Sequence, residues 1–483
     1  MATVRRQARF VQLSLGQSLE VDRTLKRSLQ GQLKDQLKAM IQQGRLRPSE
    51  KLPSTRALAD ELSLSRNTVV AAYEELLGEG YLEAHERSAY VVGEAAQAFP
   101  ATVHAPRSEP RQMRPPRLLT APRPFRPSQP DVNLFSIKIW NRHRTRALRR
   151  GSLLFQYQTR FSMGLDELRQ NVGEYLRESR GIRCHWEEIA ITGGSQQALF
   201  MLGQLLLRPG RSVYMEDPGF PGARRSWEQT GATILPIPVD DDGLRLPLPR
   251  APDGSVVYVT PTYQFPLGAC MSLNRRLELL RTASRRNLWI IEDDYDSEFR
   301  YVSAPQPSLQ SLDDHRRVIY VGSFSKTLVP GLRLGYVVLP PELVDRFAAF
   351  KVTLEDHGPL VDQATLSGFL ESGAFESHIR RCRRVYRERQ ELFLDLIRQK
   401  GLSLTFPITG RGMNLAGHLP VKVNDEALSA ALARKGIDAP ALSSYCSHSA
   451  ASGLLFGVTA FPAPEIRAGI ETMATTFQAM RRR

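Results

Sequence analysis

Lys326 lies in the run Gly322-Ser323-Phe324-Ser325-Lys326-Thr327-Leu328-Val329-Pro330-Gly331-Leu332-Arg333-Leu334-Gly335-Tyr336, between two hydroxyl residues and seven positions before an arginine. A lysine amine condenses with an aldehyde to a Schiff base, while Ser323, Ser325 and Arg333 offer the donors that hold a dianionic phosphate. An aldehyde and a phosphate on one small molecule describe pyridoxal 5'-phosphate (PLP). A second stretch, Glu292-Asp293-Asp294-Tyr295-Asp296-Ser297-Glu298-Phe299-Arg300-Tyr301, packs four carboxylates into its first five residues. One carboxylate against a pyridine nitrogen keeps that nitrogen protonated and makes the ring an electron sink. Tyr295 is placed to hydrogen-bond the ring's phenolic oxygen. A metal site or an acidic surface loop are the alternatives for this stretch. Two weaker signals complete the set. In Thr192-Gly193-Gly194-Ser195-Gln196-Gln197-Ala198, free N–H groups at a helix start favour a phosphate, although Gly-Gly before a helix is often just a turn. In Asp217-Pro218-Gly219-Phe220-Pro221-Gly222, Phe220 could lie on a pyridine ring or simply pack on the core.

These residues need a frame that gathers them. Each follows a short apolar run that reads as a buried strand: Ile189–Thr192, Val213–Met215, Val256–Val259, Leu288–Ile291, Val318–Val321 and Val337–Leu339. Such runs, alternating with helical patterns from about residue 131, predict a mostly parallel α/β sheet. Ligands of parallel sheets gather at the C-terminal strand ends, where all the candidates fall. From about 360, a long charged helix (378–399), short strands and a last helix near 463–480 predict a smaller lobe.

The N-terminal part has another character. Leu25, Leu29, Leu33, Leu37 and Ile41 recur every fourth position and predict a helix over 22–43, stopped by Gly44 and Pro48. Ser54 and Ser65 are N-cap candidates for two short helices, the first with Ala57, Leu58 and Leu62 as its apolar face, the second running over 66–77. Residues 81–84 and 89–92 read as two strands of a wing, so the whole predicts a winged helix-turn-helix over 18–95. Residues 96–130 hold nine prolines and six arginines, the composition of a stiff, extended, basic linker. The net charge is +15, yet residues 1–95 carry 14 Lys+Arg against 12 Asp+Glu. Charge therefore adds only a general attraction to phosphate, and the DNA expectation rests on pattern. Four scattered cysteines with no CxxC pair argue against metal or disulfide roles. The lack of a long apolar run or an apolar leader predicts a cytoplasmic protein.

Four motifs carry a family resemblance: Leu52-Pro53-Ser54-Thr55-Arg56-Ala57-Leu58-Ala59, Ser65-Arg66-Asn67-Thr68-Val69-Val70-Ala71-Ala72-Tyr73, Glu292–Tyr301 and Ser323–Tyr336. Residues 22–92 resemble the winged helix-turn-helix of GntR-type regulators, and 131–480 the fold-type-I aminotransferases. Their fusion resembles the MocR subfamily of bacterial transcriptional regulators. The resemblance implies that Lys326 carries PLP, that Asp293 pairs with the pyridine nitrogen and Tyr295 with the phenolic oxygen, and that Gly194, Ser195, Gln196, Ser323, Ser325 and Arg333 bind phosphate. Tyr157 matches a tyrosine lent to the neighbouring subunit's phosphate, which implies a homodimer. Arg56, Ser65, Arg66, Asn67, Thr68 and Tyr73 match positions that meet DNA. The effector/dimerisation domain then spans 131–483, its small lobe 360–483.

Three departures concern the effector. Tyr263 replaces a frequent histidine, Asn414 replaces another, and Leu455 stands where an arginine usually clamps the substrate carboxylate. Leucine cannot replace a guanidinium fork. The expected effector is therefore an amine other than an ordinary α-amino acid. Taurine is the leading expectation, GABA and PLP itself are alternatives, and Arg224 and Tyr263 are the candidate effector contacts. A working aminotransferase with an appended DNA-binding head is the competing reading; any such activity is expected to be vestigial.

Overall fold

The computed structural model describes residues 15–85, 89–94, 96, 123–153, 155, 159–250, 252–302, 306–420 and 423–481. The chain divides into two compact units, Met1–Leu118 and Leu119–Arg483.

The first unit is built on three helices, α1 (Leu29–Gln42), α2 (Thr55–Leu62) and α3 (Arg66–Gly78). Each starts at a serine whose side chain accepts a backbone N–H one turn on: Ser28 from Gly31, Ser54 from Ala57 and Ser65 from Thr68. The Ser28 cap explains why α1 begins later than the leucine periodicity suggests. Leu25 lies before it, exposed, in a turn where Asp22 accepts from the Thr24 N–H. Ser63, in the left-handed region, ends α2 and starts the tight turn into α3. Leu33, Leu37, Ile41, Leu58, Val69 and Leu76 fill the core; α2 turns Leu58 and Ala59 inward, while Ala57 is exposed. Strands β1 (Leu82–His85) and β2 (Ala89–Val92) pair antiparallel as the wing. Its tip, 86–88, is outside the described residues.

The second unit is organised by strands β3 (Ile189–Thr192), β4 (Ser212–Asp217), β5 (Thr233–Asp240), β6 (Gly243–Leu244), β7 (Val256–Val259), β8 (Trp289–Asp294), β9 (Val318–Ser323) and β10 (Gly335–Val338). Among the described residues they form one sheet in the order β3-β10-β9-β8-β7-β4-β5-β6. β9, β8, β7, β4 and β5 run parallel, while β10 is antiparallel to both its neighbours and β6 to β5. Buried residues line both faces of β3, β4, β7 and β8, which is why their sequences are apolar without alternation. β5, Thr-Ile-Leu-Pro-Ile-Pro-Val-Asp, is not among the strands expected from the sequence, because its two prolines argue against a strand interior.

The smaller lobe packs the helix Ala374–Gln399 and the terminal helix Ala463–Arg481 around the hairpin β11 (Asn414–His418) and β12 (Gly453–Gly457). Here the expected domain boundary at 130 is corrected. Residues 123–130 are not spacer: Phe125 is fully buried among Phe393, Phe456 and Phe461 at ring separations of 5.2, 6.1 and 6.3 Å. The backbone here is also tied down, because Gly457 N–H donates to Phe125 O and Asp438 N–H to Pro124 O. The rest of the expected linker, 97–122, lies outside the described residues. Among the described residues, no helix is long and apolar enough to cross a membrane.

Candidate cofactor and DNA-binding sites

A cavity of about 490 Å³ opens at the C-terminal ends of the parallel strands. It gathers nine of the residues singled out above: Ser195, Gln196, Phe220, Asp293, Tyr295, Ser323, Ser325, Lys326 and Arg333. β8 ends in Asp293 and Asp294 and β9 in Ser323; the strand-to-helix turn after β3 supplies Ser195 and Gln196.

Lys326 is partly buried and its Nζ donates to the backbone oxygen of Ser128 at 2.9 Å. Burial lowers its proton affinity, opposed by the charges of Asp296 and Asp293. The direction of the shift is toward the neutral, nucleophilic amine. Asp293 is 4% exposed; its Oδ2 accepts from Tyr258 Oη at 2.8 Å, but its Oδ1 has no hydrogen-bond partner among the described residues. Burial pushes its pKa up to about 7, against the hydrogen bond from Tyr258. A buried carboxylate oxygen without a partner is costly unless a ligand supplies one.

Ser325 Oγ, on the same cavity, is also buried without a hydrogen-bond partner among the described residues. Ser323 accepts from the Ser325 N–H and caps the short helix Phe324–Thr327. Arg333 adopts a left-handed conformation (φ +50°) that sends its guanidinium back toward Gly194, where a Cβ would stand 3.6 Å from it. Gly335 is fixed by contact: its Cβ would lie 2.8 Å from Gly194 Cα. The Gln196 side chain is spent on Gly222 O and Ser226 Oγ, which leaves its backbone N–H for a ligand. Phe220 meets Phe265 edge-on, and Phe265 in turn meets Tyr295 and Tyr445. A buried carboxylate oxygen and a buried hydroxyl without hydrogen-bond partners among the described residues, an exposed guanidinium, an amine and aromatic walls around one cavity fit PLP.

The remaining carboxylates of the acidic stretch are structural. Glu292 accepts from the N–H groups of Leu309 and Gln310 and faces Arg276 at 3.8 Å; Asp294 pairs with Arg180 at 2.8 Å. Asp296 accepts from the Met413 N–H, and Glu298 from Tyr175 Oη.

Several features were not legible beforehand. Arg126, Pro127 and Ser128, from the expected linker, line the cavity. Asn414 holds this strap, its Oδ1 accepting from Ser128 N–H at 2.7 Å and its Nδ2 donating to Ser128 Oγ at 3.0 Å. Arg225 lines the cavity and Arg224 does not, since neighbours on the helix Pro221–Trp227 point about 100° apart. Tyr263 lines a separate cavity. Leu455 is fully buried in a cluster with Phe265 and Leu442, against which Tyr295 and Tyr445 pack, so the clamp position is apolar core and does not line the cavity. Asp217 accepts from the N–H groups of Ser447, His448 and Ser449 at 2.6, 2.8 and 2.7 Å and latches the small lobe's loop to β4. Despite its burial, these three donors hold its carboxyl below the usual range. Tyr157 lies outside the described residues.

In the first unit Arg56, Arg66 and Asn67 are exposed at the starts of α2 and α3. Ser65 is exposed, but its hydroxyl is engaged with Thr68 N–H and Oγ1. Tyr73 corrects an expectation: it is fully buried, donates to Pro53 O at 3.2 Å and packs edge-on against Tyr90, so it supports the recognition helix rather than meeting DNA.

Residues 29–92 match the bacterial regulatory proteins of the gntR family, and residues 140–447 match aminotransferase class I and II. The chain is 36% identical over 476 residues to the probable rhizopine catabolism regulatory protein MocR of Rhizobium meliloti, covering 96% of both chains. It is 34% identical over 426 residues to the HTH-type transcriptional regulator TauR of Rhodobacter capsulatus, covering 85% of this chain and 88% of that one. Among solved structures, the α-aminoadipate aminotransferase LysN of Thermus thermophilus, complexed with N-(5'-phosphopyridoxyl)-L-leucine, superposes with a TM-score of 0.68 at 27% identity, over 74% of this chain and 92% of that one.

Proposed function

We infer what the chain does from one premise: it belongs to the MocR subfamily of GntR-type transcriptional regulators, a winged helix-turn-helix joined to a PLP-binding, aminotransferase-like domain. It is a DNA-binding regulator. We propose that it senses a small amine at Lys326 and controls genes for that amine's metabolism. PLP, when bound, supplies an aldehyde that exchanges one primary amine for another.

The carrying observation is a contrast between the cavity and the core beside it. The groups that fit the cofactor are intact and two of them have no hydrogen-bond partner among the described residues, whereas the position expected to clamp an α-carboxylate is Leu455, fully buried in an apolar cluster with the cavity-lining Phe265. Asp293 would hold the ring nitrogen, Tyr295 the phenolic oxygen, and Ser195, the Gln196 N–H, Ser323, Ser325 and Arg333 the phosphate. Phe220 would cover the ring. Arg225 at the cavity suits an amine with an anionic tail, which supports taurine or GABA over putrescine; Arg126, also at the cavity, faces Asp438 at 3.9 Å. An effector shifts the protein only through its different affinity for two arrangements. The strap supports that reading, because Ser128 touches the reactive lysine and leads directly into the linker. Exposed Val132, Ile137, Leu148 and Phe155 support a homodimer, with Tyr157 acting across it. On DNA, Arg56, Arg66, Asn67 and Thr68 would contact phosphates and base edges. The intact cofactor set favours one second reading, a slow aminotransferase with a DNA-binding head.

The test is the visible absorption spectrum of the full chain titrated with taurine, GABA, β-alanine and putrescine, beside Lys326→Ala. A cofactor band that shifts with one amine, is lost in the variant, and tracks a change in promoter binding supports the sensor. Turnover of amine and keto acid would instead support the enzyme. A colourless protein that takes up no PLP yet binds its promoter would exclude both.

A further inference from the structure

A second cavity of about 490 Å³ lies behind the cofactor site, and its lining is one-sided: Arg180, Arg300 and Arg411 line it, with no aspartate or glutamate among the described lining residues. The hydroxyl-bearing Thr262, Tyr263, Ser272 and Ser297, with Gln306, add to its polar surface. The charges are not equally matched. Arg180 is buried and spent on Asp294 at 2.8 Å and Thr262 Oγ1 at 2.8 Å. Arg300 and Arg411, adjacent across an antiparallel backbone bridge, enter no ion pair among the described residues, and Arg411 Nε is buried without a hydrogen-bond partner. Burial, with the charges of Asp296 and Asp294, raises the Tyr263 pKa, so its hydroxyl is a donor at neutral pH.

Half-buried guanidinium groups held side by side with no ion-pair partner among the described residues are an unfinished arrangement. Their forks match the paired oxygens of a phosphate, and the hydroxyls add donors around it. We propose that this cavity is a second anion-binding site, separate from the cofactor's phosphate cradle, that takes inorganic phosphate or a small phosphomonoester between Arg300, Arg411 and Tyr263. The two sites share a wall. Thr260 lines the cofactor cavity while Thr262, two residues on, lines this one. Gly412 sits against both Asp296 and Tyr263, and Asp296 is among the charges that act on Lys326. An anion here would therefore be felt at the reactive amine.

The experiment uses the full chain saturated with PLP, so that the cofactor's own phosphate cradle is filled. Thermal melts are followed against inorganic phosphate and, separately, glycerol phosphate, with chloride at matched ionic strength. The cofactor band is recorded throughout to exclude displacement. A saturable rise in melting temperature with phosphate and not chloride is expected, weakened at least about tenfold in apparent affinity in Arg300→Gln and Arg411→Gln. A stronger rise with glycerol phosphate would identify a phosphomonoester as the better ligand. Tyr263→Phe, which removes one donor and little packing, is expected to weaken the response about threefold and serves if an arginine variant fails to fold. An equal response to chloride, or undiminished binding in these variants, would overturn the proposal.

Discussion

Asp293 shows how far one carboxyl's surroundings decide its chemistry. Its pKa, ordinarily 3.8, is pushed up to about 7 by burial. In the cofactor-free protein the folded form therefore keeps a proton that the unfolded chain has lost, so this residue's contribution to stability falls as pH rises from about 4 to 7. Asp293→Asn removes that loss. Without cofactor, this variant is expected to melt a few degrees above wild type at pH 8, the gap closing toward pH 4, as thermal melts across pH would show. With PLP present the order should reverse, because the carboxylate gains a protonated ring nitrogen and the amide does not. Tyr73 gives a second contrast. Its hydroxyl reaches only Pro53 O among the described residues, so Tyr73→Phe should cost about 1 kcal/mol of head stability and leave operator affinity within about twofold. Asn67→Ala, on the exposed start of α3, should weaken operator binding about tenfold or more in a gel-shift titration.

At the scale of elements, the turn that joins β3 to its helix packs its Gly194 against Gly335 at the start of β10. Gly335→Ala would drive a Cβ to 2.8 Å from Gly194 Cα and displace the phosphate cradle; PLP affinity, read by spectroscopic titration, should fall at least about tenfold with the fold retained. The strands around this turn were legible because buried parallel strands need apolar residues on both faces, and the ligand groups follow at their ends. Other elements were hidden for physical reasons. A serine cap overrode the leucine repeat that extends α1 back to residue 22 on periodicity alone. Pro236 and Pro238 disguised β5. Helical rotation separated Arg224 from Arg225, a distinction that residue type alone cannot make. The strap was masked by its company: averaged over a proline- and arginine-rich stretch, one phenylalanine carries no signal, yet Phe125 anchors the segment. Phe125→Ala should cost about 3–5 kcal/mol in denaturant unfolding of the second unit, where an inert spacer would lose nothing.

On the scale of the whole molecule, the sheet, the small lobe and the strap all meet at Lys326. The Asp217 latch fixes the loop that carries Tyr445 against β4, so Asp217→Asn, which keeps the shape but weakens the charge-assisted bonds, should loosen that wall and lower amine affinity more than PLP affinity. Separate titrations of amine and of PLP would measure the difference. The bond between Lys326 Nζ and Ser128 O has a consequence in the other direction. A nitrogen committed to a carbonyl carbon has fewer hydrogens to give, so loading the lysine and seating the strap draw on the same atom. Equilibrium coupling is reciprocal. If occupancy of the lysine changes how firmly the strap is held, then tension on the strap must change how firmly the lysine holds its occupant. An operator whose half-sites are spaced to strain the connecting chain would then act on the protein as a ligand does, and the spacing between half-sites would be readable in the affinity for PLP.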